Sequence, residues 1–349
     1  MKIVFKAENP IEWIAMKTNL VPYPSTAFMM AFAAKIAMLA FKFDMFEAAK
    51  DSPQTIEDIA QKVNLHPRGL RSLLNALVVG GYFEYKNGKF SLSKISRKWC
   101  LKGNAEKSMH SQMAFYHEVV TKNEINYLDE FLKTGKGLQI HDTYSEEQWD
   151  LYQLAMEEQA RMTARQSANM MPMLKNPIQM LDIGGSHGMY SIELCRKFPA
   201  LKSTILELPQ AVERSQKGLD KYNIGDRVNY MSGNALTDDL GENRYDLILM
   251  SQLAHHFTAE QNEAVSKKIM IALRPRGYFV IQEYLRPETS NKMDTVPIIL
   301  DMYFNVSSTS GLWSVDELRG FQQKAGLVDY KVNRFKGLPC FAQVCAQKV

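Results

Sequence analysis

Residues Met180 to Gly188 read MLDIGGSHG, an apolar run that ends in an acid and then in glycines at 184, 185 and 188. The pattern predicts a strand, a tight turn and the start of a helix. Glycine in such a turn permits positive φ and close approach of a ligand, and the helix N-terminus beyond it offers unpaired N–H groups. A second apolar run, Ser203 to Leu206, ends in Glu207, at about the 20-residue spacing of an acid that binds a ribose. Together the two runs describe a nucleoside pocket at the carboxyl ends of neighbouring parallel strands, and so an α/β sheet.

The order of residues in the turn separates one nucleoside cofactor from another. Dinucleotide enzymes carry GxGxxG and rest a pyrophosphate on the helix; here Asp182 stands two residues before Gly184 and the motif is DxGGxxG. An acid in that place repels an anion and tolerates a sulfonium that carries an ammonium group. On these residues the chain resembles the S-adenosylmethionine-dependent methyltransferases. The likeness is to small-molecule O-methyltransferases of the caffeic-acid and acetylserotonin type, bacterial members included. Their turn reads roughly DVGGGxG, followed by a helix, a Phe-Pro and a strand ending acid-Leu-Pro. This chain has DIGGSHG, then KFPALKSTILELP, with Ser186 in place of the third glycine. The resemblance implies that S-adenosylmethionine is the cofactor and that Asp182, Gly184, Gly185 and Gly188 form its turn. It places Glu207 and Leu208 at the ribose, Asn234 and Ala235 at the adenine, and Ser251 near the methionine or ribose.

The remaining composition suits a soluble, cytoplasmic enzyme. A chain of 349 residues with 46% hydrophobic residues suggests about two domains. The four cysteines, at 100, 195, 340 and 345, form no CxxC pair, and no HExxH or Cys/His cluster occurs, so neither zinc nor a disulfide framework is expected. The longest apolar run, Ser25 to Phe41, is interrupted by Lys35 and falls short of the roughly 18 residues of a membrane span. No basic segment with a cleavage site opens the chain, so no signal peptide is expected.

Charge divides unevenly. Residues 1–108 hold 16 Lys and Arg against 9 Asp and Glu, whereas residues 109–349 hold 26 against 29. The basic front carries TIEDIAQKVNL, a break at His66 and Pro67, RGLRSLLNALVVGG, and two strand-like pieces around Asn87-Gly88, the pattern of a winged helix. The second helix offers only Arg68, Arg71, Ser72 and Asn75 to a groove, while its Leu70, Leu73, Leu74 and Leu77 face belongs to a core, which argues against base readout. In the family that the chain resembles, this module serves dimerisation. The expected architecture is a winged-helix dimerisation domain over 1–108 and a Rossmann-like, seven-stranded class I methyltransferase domain over 109–349. DYKVNRF and CFAQVCAQK should close the sheet as an antiparallel hairpin. A DNA-binding regulator that senses the cofactor is the rival reading.

Two further helices are expected, over Met109 to Leu132 and Ser145 to Met171. The second contains LYQLAMEEQ, which resembles the family's acceptor helix, with Met156 matching and Gln159 in place of a histidine. Phe115, Tyr116, Met302 and Tyr303 are further candidates to line an apolar, aromatic acceptor cavity. The strand YDLILMS leads into QLAHHF, and the resemblance makes His255 the general base for a hydroxyl proton, an imidazole suiting that role near neutral pH. The resemblance also implies that Glu283, after the next strand, is the carboxylate that would hold the imidazole in its productive tautomer. A second flanking carboxylate has no counterpart; its place falls near Leu312, which leaves C-methylation, or use of the cofactor without methyl transfer, as an alternative.

Overall fold

The computed structural model describes residues 9–18, 20, 23–104, 107–216, 218–286 and 295–349. They pack as two units that divide between Asn123 and Glu124. The division falls later than residue 108 because the segment after it belongs to the first unit: the His110 ring lies edge-on to Phe41 at 5.7 Å, and the Thr121 hydroxyl reaches the Met38 sulfur.

In the first unit, a capping box between Thr55 and Asp58 starts the Ile56–Val63 helix, and Asn64 ends it at φ +50°. The His66 ring then caps the Pro67–Val79 helix by accepting the Arg68 N–H. Leu70, Leu74 and Leu77 from that helix pack with Phe46 and with Phe83 and Phe90 of a hairpin. The hairpin strands are β1 (Phe83–Lys86) and β2 (Lys89–Leu92), and they turn at Asn87 and Gly88, both at positive φ. Paired positive φ matches the twist of a two-residue hairpin loop. The Tyr23–Lys42 helix buries Ala37, Ala40 and Phe41 from its second half, while Phe28, Met29 and Phe32 of its first half stay exposed at 58 to 66%.

The helix expected over Met109 to Leu132 is broken in three. It runs as His110–Phe115, a π turn at Tyr116–Val120, and then Glu124–Thr134. Both the N–H and the hydroxyl of Thr121 bond the Tyr116 carbonyl, which fixes the wider turn.

The second unit is a seven-stranded sheet with β3 (Gln179–Ile183), β4 (Lys202–Glu207), β5 (Val228–Ser232), β6 (Tyr245–Ser251), β7 (Leu273–Tyr284), β8 (Val328–Phe335) and β9 (Leu338–Gln347) in the order β5-β4-β3-β6-β7-β9-β8. The five strands from β5 to β7 are mutually parallel, and β9 and β8 add antiparallel at the edge. Strand order reverses between β3 and β6, so the carboxyl ends of these two strands flank the crevice where an open α/β sheet binds its ligands. All seven residues of β6 are buried, as a central parallel strand covered on both faces requires. β5 ends at Ser232, so Asn234 and Ala235 follow the strand.

Candidate active site

A cavity of about 370 Å³ opens at the carboxyl ends of β3, β4 and β6, and Gly184, Ser186, Glu207, Asn234, Gln252 and His256 are among its lining residues. The turn after β3 shapes it, and its glycines act for different reasons. Gly184 has φ +68°, donates its N–H to the Leu206 carbonyl at 2.8 Å, and would bring a Cβ to 3.0 Å from Leu253. Gly185 would bring a Cβ to 2.6 Å from the Asp182 carboxyl carbon. Gly188 caps the Met189–Lys197 helix at φ +72°, and its Cβ would meet Ile205 at 3.0 Å. Of the three, Gly184 lines the cavity; Gly185 and Gly188 fold the turn against protein. Ser186, in the place of a third glycine, takes φ +42°.

Asp182 corrects the sequence reading. Its carboxyl is fully buried behind the turn, not in the cavity, and accepts the Ser191 hydroxyl at 2.6 Å. Burial, opposed by that hydrogen bond and reinforced by Glu207, pushes its pKa up to about 7. Its charge therefore selects no ligand by contact. Glu207 is the acid that faces the cavity, with Oε2 accepting the Ser186 N–H at 3.1 Å and Oε1 the Leu208 N–H at 2.9 Å. Burial raises its pKa against those two bonds. Asn234 lines the cavity as expected, but its Oδ1 already accepts the Leu236 N–H at 2.9 Å. Ser251 does not line it: the side chain is buried and accepts from Gln282 Nε2 at 2.9 Å, and the next residue, Gln252, reaches the cavity from φ +53°.

His255 and Glu283 meet. The ring Nδ1 lies 2.9 Å from Glu283 Oε2, both side chains are at most 2% exposed, and Glu283 Oε1 accepts the Tyr284 N–H at 3.0 Å. An acceptor-only carboxylate at Nδ1 places the proton there and leaves Nε2 as the lone pair. Among the described residues Nε2 has no hydrogen-bond partner. The ring lies between Phe304, with centroids 4.0 Å apart, and His256, at 4.3 Å. It is His256 that lines the cavity.

The acceptor residues drawn from the sequence are not brought together there. Phe115 is buried and Tyr116 sits in the π turn, both in the first unit. Met156 is half-buried on the Glu146–Met170 helix, Gln159 donates to the Tyr284 hydroxyl at 3.1 Å, Met302 is 43% exposed, and Tyr303 packs on Phe304. None of them lines the cavity. That helix instead supplies Trp149, Tyr152 and Gln153, with the two rings edge to face at 5.6 Å. The signal was present in WDLYQ, whose Trp and Tyr recur at a helical spacing of three.

Residues 117–327, more than half the chain, match the model of the O-methyltransferase domain. The chain belongs to that O-methyltransferase family. The enzyme is 22% identical over 284 residues to the tetracenomycin polyketide synthesis 8-O-methyltransferase TcmO of Streptomyces glaucescens, covering 73% of this chain and 76% of the relative. It is 21% identical over 256 residues to an L-tyrosine C(3)-methyltransferase of Streptomyces lavendulae, 69% of each protein. Three further curated relatives are matched over 40 to 52% of their own length. The crystal structure of human N-acetylserotonin methyltransferase in complex with SAM superposes with a TM-score of 0.82 at 16% identity over 99% of both chains, so the likeness of fold covers both units, with the class I methyltransferase sheet in the second.

S-adenosylmethionine is the methyltransferase's cofactor, and the cavity suits it. Among the described residues the lining holds one carboxylate, Glu207, three aromatic side chains in Trp149, Tyr152 and Phe257, and no Lys or Arg. Such walls favour a cation over a phosphate. Among those residues no group of three His, Cys, Asp or Glu could hold a metal, and no helix is long and apolar enough to cross a membrane.

Replacing Gly188 with Val forces a side chain into the left-handed region and against Ile205, which should displace the turn and lower affinity for S-adenosylhomocysteine at least tenfold by calorimetry. Unchanged binding would contradict the turn's role. The raised pKa of Asp182 means that the folded state holds this proton more tightly than the unfolded chain, with its value of about 3.9. That stabilisation is complete below about pH 4 and lost as pH rises through about 7. Asp182→Asn keeps an acceptor for Ser191, so its urea midpoint should change less between pH 4 and 7 than the parent's; parallel curves would refute the assignment.

Proposed function

We propose that the enzyme methylates a hydroxyl on a small aromatic acceptor, with His255 as general base. The observation that carries this reading is the buried Nδ1 contact of His255 with Glu283 at 2.9 Å. A carboxylate there orients the ring, keeps the Nε2 lone pair available and stabilises the imidazolium once the acceptor's proton is taken. Glu283 is itself held by the Tyr284 N–H, so the carboxylate is fixed in orientation at the end of β7. When bound, S-adenosylmethionine supplies a methyl group on an electron-poor sulfonium that an oxygen nucleophile displaces directly. Glu207, with Gly184 and Leu208, would hold its ribose, Asn234 and Ala235 its adenine, and Trp149 and Tyr152 would wall the cavity. An aromatic acceptor is supported by Phe304 against the His255 ring, with Tyr303 beside it, and by the polyketide named for TcmO.

C-methylation beside a phenol is the second reading, favoured by the L-tyrosine C(3)-methyltransferase relative and by Leu312, buried where a second carboxylate was sought. Removal of a phenolic proton by His255 would serve either outcome. Product mass and regiochemistry with a phenolic panel separate them.

For the first unit, we propose a winged-helix module that pairs two copies of the enzyme. The exposed Phe28, Met29 and Phe32 of the Tyr23–Lys42 helix support it.

His255→Ala should retain cofactor affinity and lower kcat by roughly a hundredfold or more. Glu283→Gln should fall between parent and His255→Ala. His256→Ala, at the cavity wall, should act on cofactor affinity more than on kcat. An active His255→Ala with an inactive His256→Ala would transfer the base to the second histidine. Light scattering should give twice the 39.9 kDa chain mass, and Phe28→Asp should weaken that dimer by placing a charge on its apolar face; a monomeric parent would overturn the pairing.

A further inference from the structure

The Glu146–Met170 helix brings Gln153 to the cavity beside the glycine turn. Its amide oxygen is already saturated: Ser186 Oγ donates to Gln153 Oε1 at 2.7 Å, and Ser215 Oγ donates to the same atom at 3.3 Å. A carboxamide oxygen offers two lone pairs. With both taken, the amide is fixed in one orientation, and its NH2, which has no protein partner among the described residues, is the face left for a ligand. Ser186 occupies the third glycine position of the turn at φ +42°, a conformation that a side chain adopts at a cost. The hydroxyl that locks Gln153 gives that strained side chain a function.

Ser186 also connects this donor to Glu207, because its N–H bonds Glu207 Oε2 at 3.1 Å. One short segment of backbone therefore presents an acceptor-only carboxylate and a donor-only amide edge to the same cavity. A carboxylate can take the O–H of each hydroxyl of a vicinal diol, but it leaves the hydroxyl oxygens without a donor. An NH2 beside it completes that set. Resting on the cofactor reading above, we infer that Gln153, locked by Ser186 and Ser215, donates to a ribose hydroxyl oxygen of S-adenosylmethionine and makes the site selective for a ribose over a deoxyribose.

Calorimetry with S-adenosylhomocysteine and its 2′-deoxy and 3′-deoxy analogues tests this on the full chain, without turnover. Gln153→Leu should weaken S-adenosylhomocysteine about five- to tenfold, the loss of one neutral hydrogen bond, while one of the two deoxy analogues binds parent and variant equally. Gln153→Glu keeps both serine hydroxyls bonded but sets a second carboxylate beside Glu207. It should weaken binding further at neutral pH and recover towards pH 5; this variant carries the test if Gln153→Leu fails to fold. Ser186→Ala, which keeps the backbone and frees the amide, should lose two- to fivefold. Equal weakening of all three ligands by Gln153→Leu, or unchanged affinity in both Gln153 variants, would overturn the inference. A parent that binds none of the three would overturn the cofactor reading instead.

Discussion

The burial of the Asp182 carboxyl at the end of β3 is the constraint on which the site depends. One oxygen takes the Ser191 hydroxyl, and Ser203 on β4 donates to Ser191 in turn. A single chain of hydrogen bonds thus ties β3, the helix after it and β4. Gly185 must lie flat on that carboxyl, because any side chain would collide with it. The turn follows from this packing: Gly184 is left facing the cavity, Ser186 is forced to positive φ, and its N–H is aimed at Glu207. The ligand surface is the outer side of a structure organised from within.

A second buried network supports the chemistry from β7. Neighbouring strand residues face opposite sides of a sheet, and Gln282 and Glu283 divide their tasks in that way. Glu283 meets His255, while Gln282 accepts from Ser167 at 2.5 Å and from Gln343, and donates to Ser251. Ser251 is therefore part of the framework that holds the strand ends in register, rather than part of the cavity wall. A buried polar group of this kind is tolerated because its partners are present.

The order of elements was legible in the sequence for local reasons. Asn87-Gly88 selects a hairpin turn, Thr258 with Gln261 caps the helix after the histidine pair, and apolar runs of strand length ending in acids or glycines mark the parallel strands. The pairing of His255 with Glu283 was legible as well, because one lies just beyond the end of β6 and the other at the end of its neighbour β7. The break at Tyr116–Val120 was not, since one threonine decides it through a bond five residues back.

What the sequence determined alone is the set of groups available: a glycine turn, one acid at the next strand end, an imidazole just after one strand and a carboxylate at the end of its neighbour, and a basic, helix-rich front. These follow from spacing, which a strand or helix converts directly into position. What the tertiary structure decided is which of those groups meet the cavity. Asp182 and Ser251 turn inward, Glu207 and Gln252 turn outward, and Trp149, Tyr152 and Gln153 arrive from a helix about 30 residues upstream of the turn in a chain of 349. The physical reason is that a side chain's face depends on what packs behind it, and the packing partners here come from distant parts of the chain.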